Sequence, residues 1–248
     1  MLEAALVIYG LFFVLFIIGT VIKNNSIVDI FWGLGYVLSA WILFFVVGEY
    51  TMTKIVINLL VSLWGLRLFY HIGRRNIGEP EDFRYKNWRK AWGKYVIPRA
   101  FLQVFMLQAT FMYIISLGIT FINTNTDGAE LQLISLIGVV VFFIGYYFQV
   151  IGDYELKEFV KNKKGLLQTG LWSITRHPNY FGESVMWFGI FIFAVLNGAP
   201  WFVVISPLTI TVILRFISIP ILEEKMSKRD GWEQYAKRVN IMFPWVKK

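Results

Sequence analysis

Cysteine is absent from the 248 residues, and histidine is nearly so, with only His71 and His177. The first absence excludes disulfides and thiolate-held metals; the second excludes a conventional histidine metal centre. Charged side chains make up 16% of the chain, against 57% hydrophobic and 18% aromatic residues, and mean hydropathy is +0.59. That balance excludes an ordinary soluble domain and points to a polytopic membrane protein. The first apolar stretch, residues 2–22, is long enough to span and has no basic flank, so no cleavable signal is expected. The formal charge of +8 would suit nucleic acid, but its distribution along the chain argues for a membrane surface instead.

The chain reads as an all-α integral membrane protein with about seven transmembrane helices, near 3–22, 27–47, 53–72, 99–121, 131–151, 178–196 and 200–219. Each is close to the ~20 residues a bilayer requires. With the N-terminus outside and the C-terminus inside, Lys54 alone of the 24 Lys and Arg residues falls on the outer side, where Glu3, Glu49, Asp127 and Glu130 lie. This positive-inside pattern orients the chain. An amphipathic interfacial helix is expected around 82–95. The whole reads as one transmembrane domain, with 1–130 as the substrate side and 131–248 as the cofactor part.

Ionisable residues inside the spans gather toward the inner ends: Asp29, Arg67, Asp153, Glu183 and Arg215. Buried charge is costly, so its clustering at one depth predicts a polar cavity open to the cytoplasm. Asp29 either carries chemistry or makes a salt bridge with Arg67 that lets both be buried. Arg67, Tyr70, His71 and Arg74 follow helical spacing and form one stripe. Gln149 and Asp153 stand at i and i+4 at the end of the fifth span. Lys157, Lys161, Lys163 and Lys164 follow, suited to lipid headgroups or to a phosphate.

The richest stretch is Arg176-His177-Pro178-Asn179-Tyr180-Phe181-Gly182-Glu183, where a polar loop becomes a membrane helix. Pro178 suits the first helical position. The free N–H groups behind it, with Arg176 just outside, predict an anion site. Asn179 and Glu183 share a face.

This motif, with the tail Glu224…Gly231-Trp232-Glu233-Gln234-Tyr235…Arg238-Val239…Pro244, resembles the C-terminal domain of steroid 5-alpha-reductases and sterol reductases. Isoprenylcysteine carboxyl methyltransferases share the outline. Val28-Asp29-Ile30-Phe31-Trp32-Gly33, Trp64-Gly65-Leu66-Arg67-Leu68 and Glu81-Asp82-Phe83-Arg84-Tyr85 resemble a bacterial branch of the reductase clan. The resemblance implies a bacterial cytoplasmic-membrane enzyme that uses NADPH to reduce a C=C bond of a lipophilic, steroid- or isoprenoid-like enone. It implies Asp29, Tyr70 and Glu183 as catalytic groups. The implied cofactor set is Arg67, Arg75, Gln149, Asp153, Lys163, Lys164, Arg176, His177, Asn179, Tyr180, Glu183 and Glu224. Trp64 stands where the steroid enzymes have their tyrosine, which leaves Tyr70 as the nearest phenol, and Glu224 replaces a tail histidine. An S-adenosylmethionine-dependent methyltransferase is the alternative, and a non-enzymatic lipid-binding protein a second one. The expected partners are the bilayer and a lipophilic small molecule, with neither metal nor nucleic acid.

Overall fold

A backbone in hydrocarbon must satisfy its own hydrogen bonds, so long apolar runs of this kind fold as helices. The computed structural model describes residues 1–125, 130–162 and 165–245; Asp127, Lys163 and Lys164 lie outside the described residues. Among those described, the structure is helical, with an isolated bridge between Thr175 and Asn240 in place of any strand. Among the described residues, six helices are long and apolar enough to cross a bilayer, or up to seven if a bent pair counts as one span. The chain forms two compact units, Met1–Gln132 with Asn197–Ala199, and Leu133–Leu196 with Pro200–Lys248.

In the first unit, α1 (Leu2–Val21), α2 (Ile27–Val47) and α3 (Met52–Asn76) follow the expected spans closely. On α1 the buried residues Ala4, Ile8, Phe12, Leu15 and Gly19 recur every three or four positions, and the opposite side, with Leu6, Phe13, Ile17 and Val21, is exposed. Such a face suits lipid, since acyl chains are as apolar as leucine. Gly48 ends α2 in a left-handed conformation at φ 77°, and Thr51 caps α3 by accepting the Lys54 N–H. Helices α2 and α3 touch at Gly33 and Gly65, where a Cβ on either would meet the other's carbonyl oxygen at 2.5 Å. Deeper burial of polar groups occurs between α3 and the later helices. Asn58 and Asn123, both fully buried, exchange amide hydrogen bonds of 3.1 and 2.8 Å.

The fourth span departs from expectation. Helix α4 (Phe83–Trp92) is expected to be separate from the span at 99–121. Instead it continues through a 3-10 turn, α5 (Val96–Ala100), a π turn at Phe101–Met106 and α6 (Leu107–Ile115). Helix α7 (Leu117–Thr124) then leaves at 62°. The hinge is Ser116, whose hydroxyl donates back to the Tyr113 carbonyl at 3.0 Å, a local bond that bends helices.

The second unit is built on the antiparallel pair α8 (Leu136–Asn162) and α9 (Pro178–Leu196). Glycines seven residues apart on each helix meet in register, Gly138 against Gly189 and Gly145 against Gly182. A Cβ on Gly138 would lie 2.5 Å from the Phe193 nitrogen and 2.6 Å from the Gly189 oxygen, so the backbones are in direct contact. Without a hydrophobic drive between helices in lipid, such close approach is what holds membrane helices together. A last long helix, Trp201–Met226, contains α10 (Ile205–Val212), a π turn at Ile213–Ser218 and α11 (Ile219–Met226). After Gly231 (φ 78°), α12 (Trp232–Arg238) leads into a tail that folds back on the loop before α9. Asn240 accepts from the Arg176 N–H at 2.9 Å, Met242 from the Thr175 hydroxyl at 2.7 Å, and Ile174 from the Trp245 N–H at 3.0 Å.

Candidate functional site

Each unit carries its own polar cluster. In the second unit, the glycine contact brings the two i, i+4 pairs expected on separate helices against each other. Asn179 Nδ2 donates to Asp153 Oδ1 at 3.0 Å, and one turn away Gln149 Nε2 lies 3.3 Å from Glu183 Oε2. Gln149 and Glu183 are 2% and 7% exposed, which is unusual for such groups and needs close pairing. One buried atom of the cluster, Gln149 Oε1, has no hydrogen-bond partner. Left so, it costs free energy, and a ligand group would relieve it.

The motif's first residues do something else. Arg176 is expected beside an anion site, but its guanidinium turns to the tail. Nε and Nη2 donate to Glu223 at 2.7 and 3.1 Å, and Nη1 donates to the carbonyls of Ala236 and Val239 at 2.9 and 2.7 Å. It also lies over the Trp232 ring at 5.4 Å. His177 is buried, stacks on Tyr180 with centroids 5.7 Å apart, and places Nε2 3.3 Å from Glu223 Oε1. Burial pushes the His177 pKa below its ordinary value, and the arginines add to this, while Glu223 pulls the other way. A neutral ring at pH 7 then donates from Nε2 to the carboxylate.

Glu223, not Glu224, is therefore the tail carboxylate of this cluster; Glu224 is exposed. The resemblance put Glu224 in the cofactor set; the carboxylate that faces Arg176 and His177 stands one residue before it.

In the first unit Asp29 pairs with Arg84 rather than the expected Arg67. Arg84 Nη2 donates to Oδ2 at 2.8 Å, and the Tyr85 hydroxyl donates to Oδ1 at 2.6 Å. Gln108 Nε2 donates to the same phenol at 3.3 Å. The arrangement is locked by the loop before α4. Asp82 accepts from Arg84 Nε at 2.9 Å and gives its own N–H to Ser26 Oγ, while Glu81 holds Arg89 bidentately and accepts the Asn25 N–H. Asp29 thus accepts from a cation on one oxygen and from the Tyr85 phenol on the other. Tyr70, the expected phenol, is 64% exposed and accepts from Arg74 at 3.1 Å. Arg67 is half-buried on α3, and Arg75 is exposed and donates to Asn76. Tyr85 escapes sequence reasoning because it precedes the expected span, although it stands in the quoted string Glu81–Tyr85.

A groove of about 430 Å³ on α8, lined by Val139, Val140, Phe143, Ile144 and Tyr147, offers no polar chemistry and is not part of either cluster. Among the described residues no three His, Asp or Glu side chains gather as metal ligands.

No solved structure matches the chain. An uncharacterised protein of Schizosaccharomyces pombe is 25% identical over a stretch covering 73% of this chain and 62% of that protein's length. A family profile matches residues 15–239, nearly the whole chain. The chain thus belongs to the family described as protein of unknown function (DUF1295).

Proposed function

We propose that this protein is a membrane-embedded, NADPH-dependent reductase of a C=C bond in a lipophilic enone, with its site toward the cytoplasm of a bacterial inner membrane. The observation that carries this is the double polar rung, Asp153–Asn179 and Gln149–Glu183, with the Gln149 acceptor left over in it. A nicotinamide carboxamide presents both N–H donors and a carbonyl, so these residues fit that half of the cofactor. NADPH, when bound, supplies the hydride. Glu183 and Gln149 would hold and orient it, and Asn179 with Asp153 would bound its nucleotide side. To the first unit we assign substrate binding through Asp29, Arg84 and Tyr85: the single phenol proton, given to Asp29 in the free protein, is the one that a bound carbonyl would have to take over.

The test is ligand-induced stabilisation of the protein in mild detergent. NADPH at a hundredfold its Kd is expected to contribute about 2.7 kcal/mol, or roughly 5–10 °C in Tm. The shift disappears in Glu183→Gln. Stabilisation by S-adenosylmethionine alone would replace the reductase with a methyltransferase, and no shift with either would leave a non-enzymatic protein. With a turned-over enone in hand, Asp29→Asn and Tyr85→Phe are expected to keep the NADPH shift but lose roughly 10²–10⁴ in kcat, the range of general acid–base assistance. Full turnover in Tyr85→Phe would remove that residue from the mechanism.

A further inference from the structure

Arg215 is the cation that neither cluster uses. It lies in the apolar helix Trp201–Met226, half-buried, and among the described residues no carboxylate is within ion-pair reach of it. Its guanidinium carbon lies over the face of Phe216, 5.1 Å from the ring centroid.

The charge inventory around it is unbalanced. Arg215 is near enough to His177 for its charge to help hold that ring neutral. Glu223 is already held by Arg176 and His177, and Glu224 is exposed on the turn beyond. Glu223 is thus taken by Arg176 and His177, and none of its hydrogen bonds goes to Arg215.

Snorkelling toward the expected inner end of the span at residue 219, four residues or roughly 6 Å along the helix, would bring the guanidinium toward the headgroups without giving it a carboxylate. Toward the helix start there is no charge at all. The backbone adds a second, independent sign, because Arg215 stands inside the π turn Ile213–Ser218. Such turns break regular packing to re-aim a side chain and recur at functional sites. An intramembrane cation held in this way calls for a partner of opposite charge.

We propose that Arg215 receives the oxyanion, phosphate or carboxylate, of a ligand bound in the second unit. The ligand is an amphiphile whose acidic head reaches hydrocarbon depth, or a nucleotide phosphate. The proposal stands on this charge inventory and does not require the reductase chemistry.

The experiment compares tetradecyl phosphate with tetradecanol as stabilisers of the full chain in dodecyl maltoside, with NADPH measured alongside. For an amphiphile site, wild type is half-stabilised by the phosphate at a mole fraction about tenfold to a hundredfold below the alcohol, the range for a charge-assisted hydrogen bond. Arg215→Gln abolishes that preference, Arg215→Lys keeps part of it, and Arg74→Gln, on an exposed arginine, leaves it intact. If Arg215→Gln instead weakens NADPH by a similar factor, the oxyanion belongs to the nucleotide. Without ligand, Arg215→Gln should melt no lower than wild type, because it removes a charge that had no counter-ion. A clear loss of Tm there, or an unchanged response to both probes, overturns the proposal. Failure of NADPH to bind wild type while the alkyl phosphate preference persists would sink the reductase and leave Arg215's role standing.

Discussion

Replacing Gly145 by leucine is expected to abolish stable folding of the second unit, even though leucine suits lipid and helix better than glycine does. A Cβ at this position would lie 2.5 Å from the Gly182 carbonyl oxygen and closer still to the Met186 nitrogen. Both are backbone atoms, so no side chain can rotate away. The helices must separate, and the matching contact of Gly138 with Gly189 one heptad along would open with them. Overpacking ordinarily costs about 1–3 kcal/mol. Here the strain also breaks the register that aligns Gln149 with Glu183, so the upper end or more applies. At about 2–4 °C per kcal/mol for a chain of this size, we expect a Tm drop near 10 °C or no monodisperse protein at all. The control is Gly10→Leu on α1, where a Cβ meets nothing within 4 Å. That change should be neutral or slightly stabilising, because leucine is the better helix former. A Gly145→Leu protein melting within two or three degrees (roughly 1 kcal/mol) of wild type would show that the α8–α9 contact is not what holds the unit together.

The same glycines show where sequence reading stops. The spans were legible because bilayer thickness sets a length scale that hydropathy reports directly, and α1, α2, α3 and α9 lie close to where that scale puts them, whereas α8 runs on to Asn162, past the expected end at 151, so that Lys157 and Lys161 stand on the helix and not in a loop. The break at Ser116 was not, since a window average cannot see a single hydroxyl turning onto the Tyr113 carbonyl. On α8 the spacing of Gln149 and Asp153, and on α9 that of Asn179 and Glu183, could be read as one face apiece. That the two faces meet depends on the register of two helices. Gly138, Gly145, Gly182 and Gly189 set that register, and their seven-residue spacing is a signal the sequence offers. Glu223 was missed because the tail carboxylate was carried over by resemblance onto Glu224, and which of two adjacent glutamates meets Arg176 depends on how the tail folds back. Asp29 was marked by its depth, but its partners Arg84 and Tyr85 come from more than fifty residues away, a separation no periodicity covers.

Arg176→Gln is expected to be the most damaging change in the motif, and to act through the tail rather than through any ligand. Arg176 is 7% exposed, and its guanidinium serves both oxygens of Glu223 and the carbonyls of Ala236 and Val239. Removing it leaves a largely buried carboxylate with only a neutral histidine beside it, and two backbone acceptors without a donor. Breaking a buried pair by deleting one partner typically costs about 3–5 kcal/mol, because an uncompensated charge remains. The Asn240 bridge and the Met242 and Trp245 bonds all close on the same loop, so the tail should detach as a piece. Limited trypsin digestion would then cut at Lys228, Arg229, Lys237 or Arg238 well before the spans are attacked. The double variant Arg176→Gln with Glu223→Gln removes the stranded charge and should recover about half of the loss; a double variant as unstable as the single would mean that the carbonyl bonds, not the ion pair, anchor the tail. If Arg176 instead served an anionic ligand, the single variant would keep wild-type Tm and protease resistance without ligand and lose only ligand-dependent stabilisation. The guanidinium geometry argues for the first outcome, since its Nε, Nη1 and Nη2 atoms all donate within the protein.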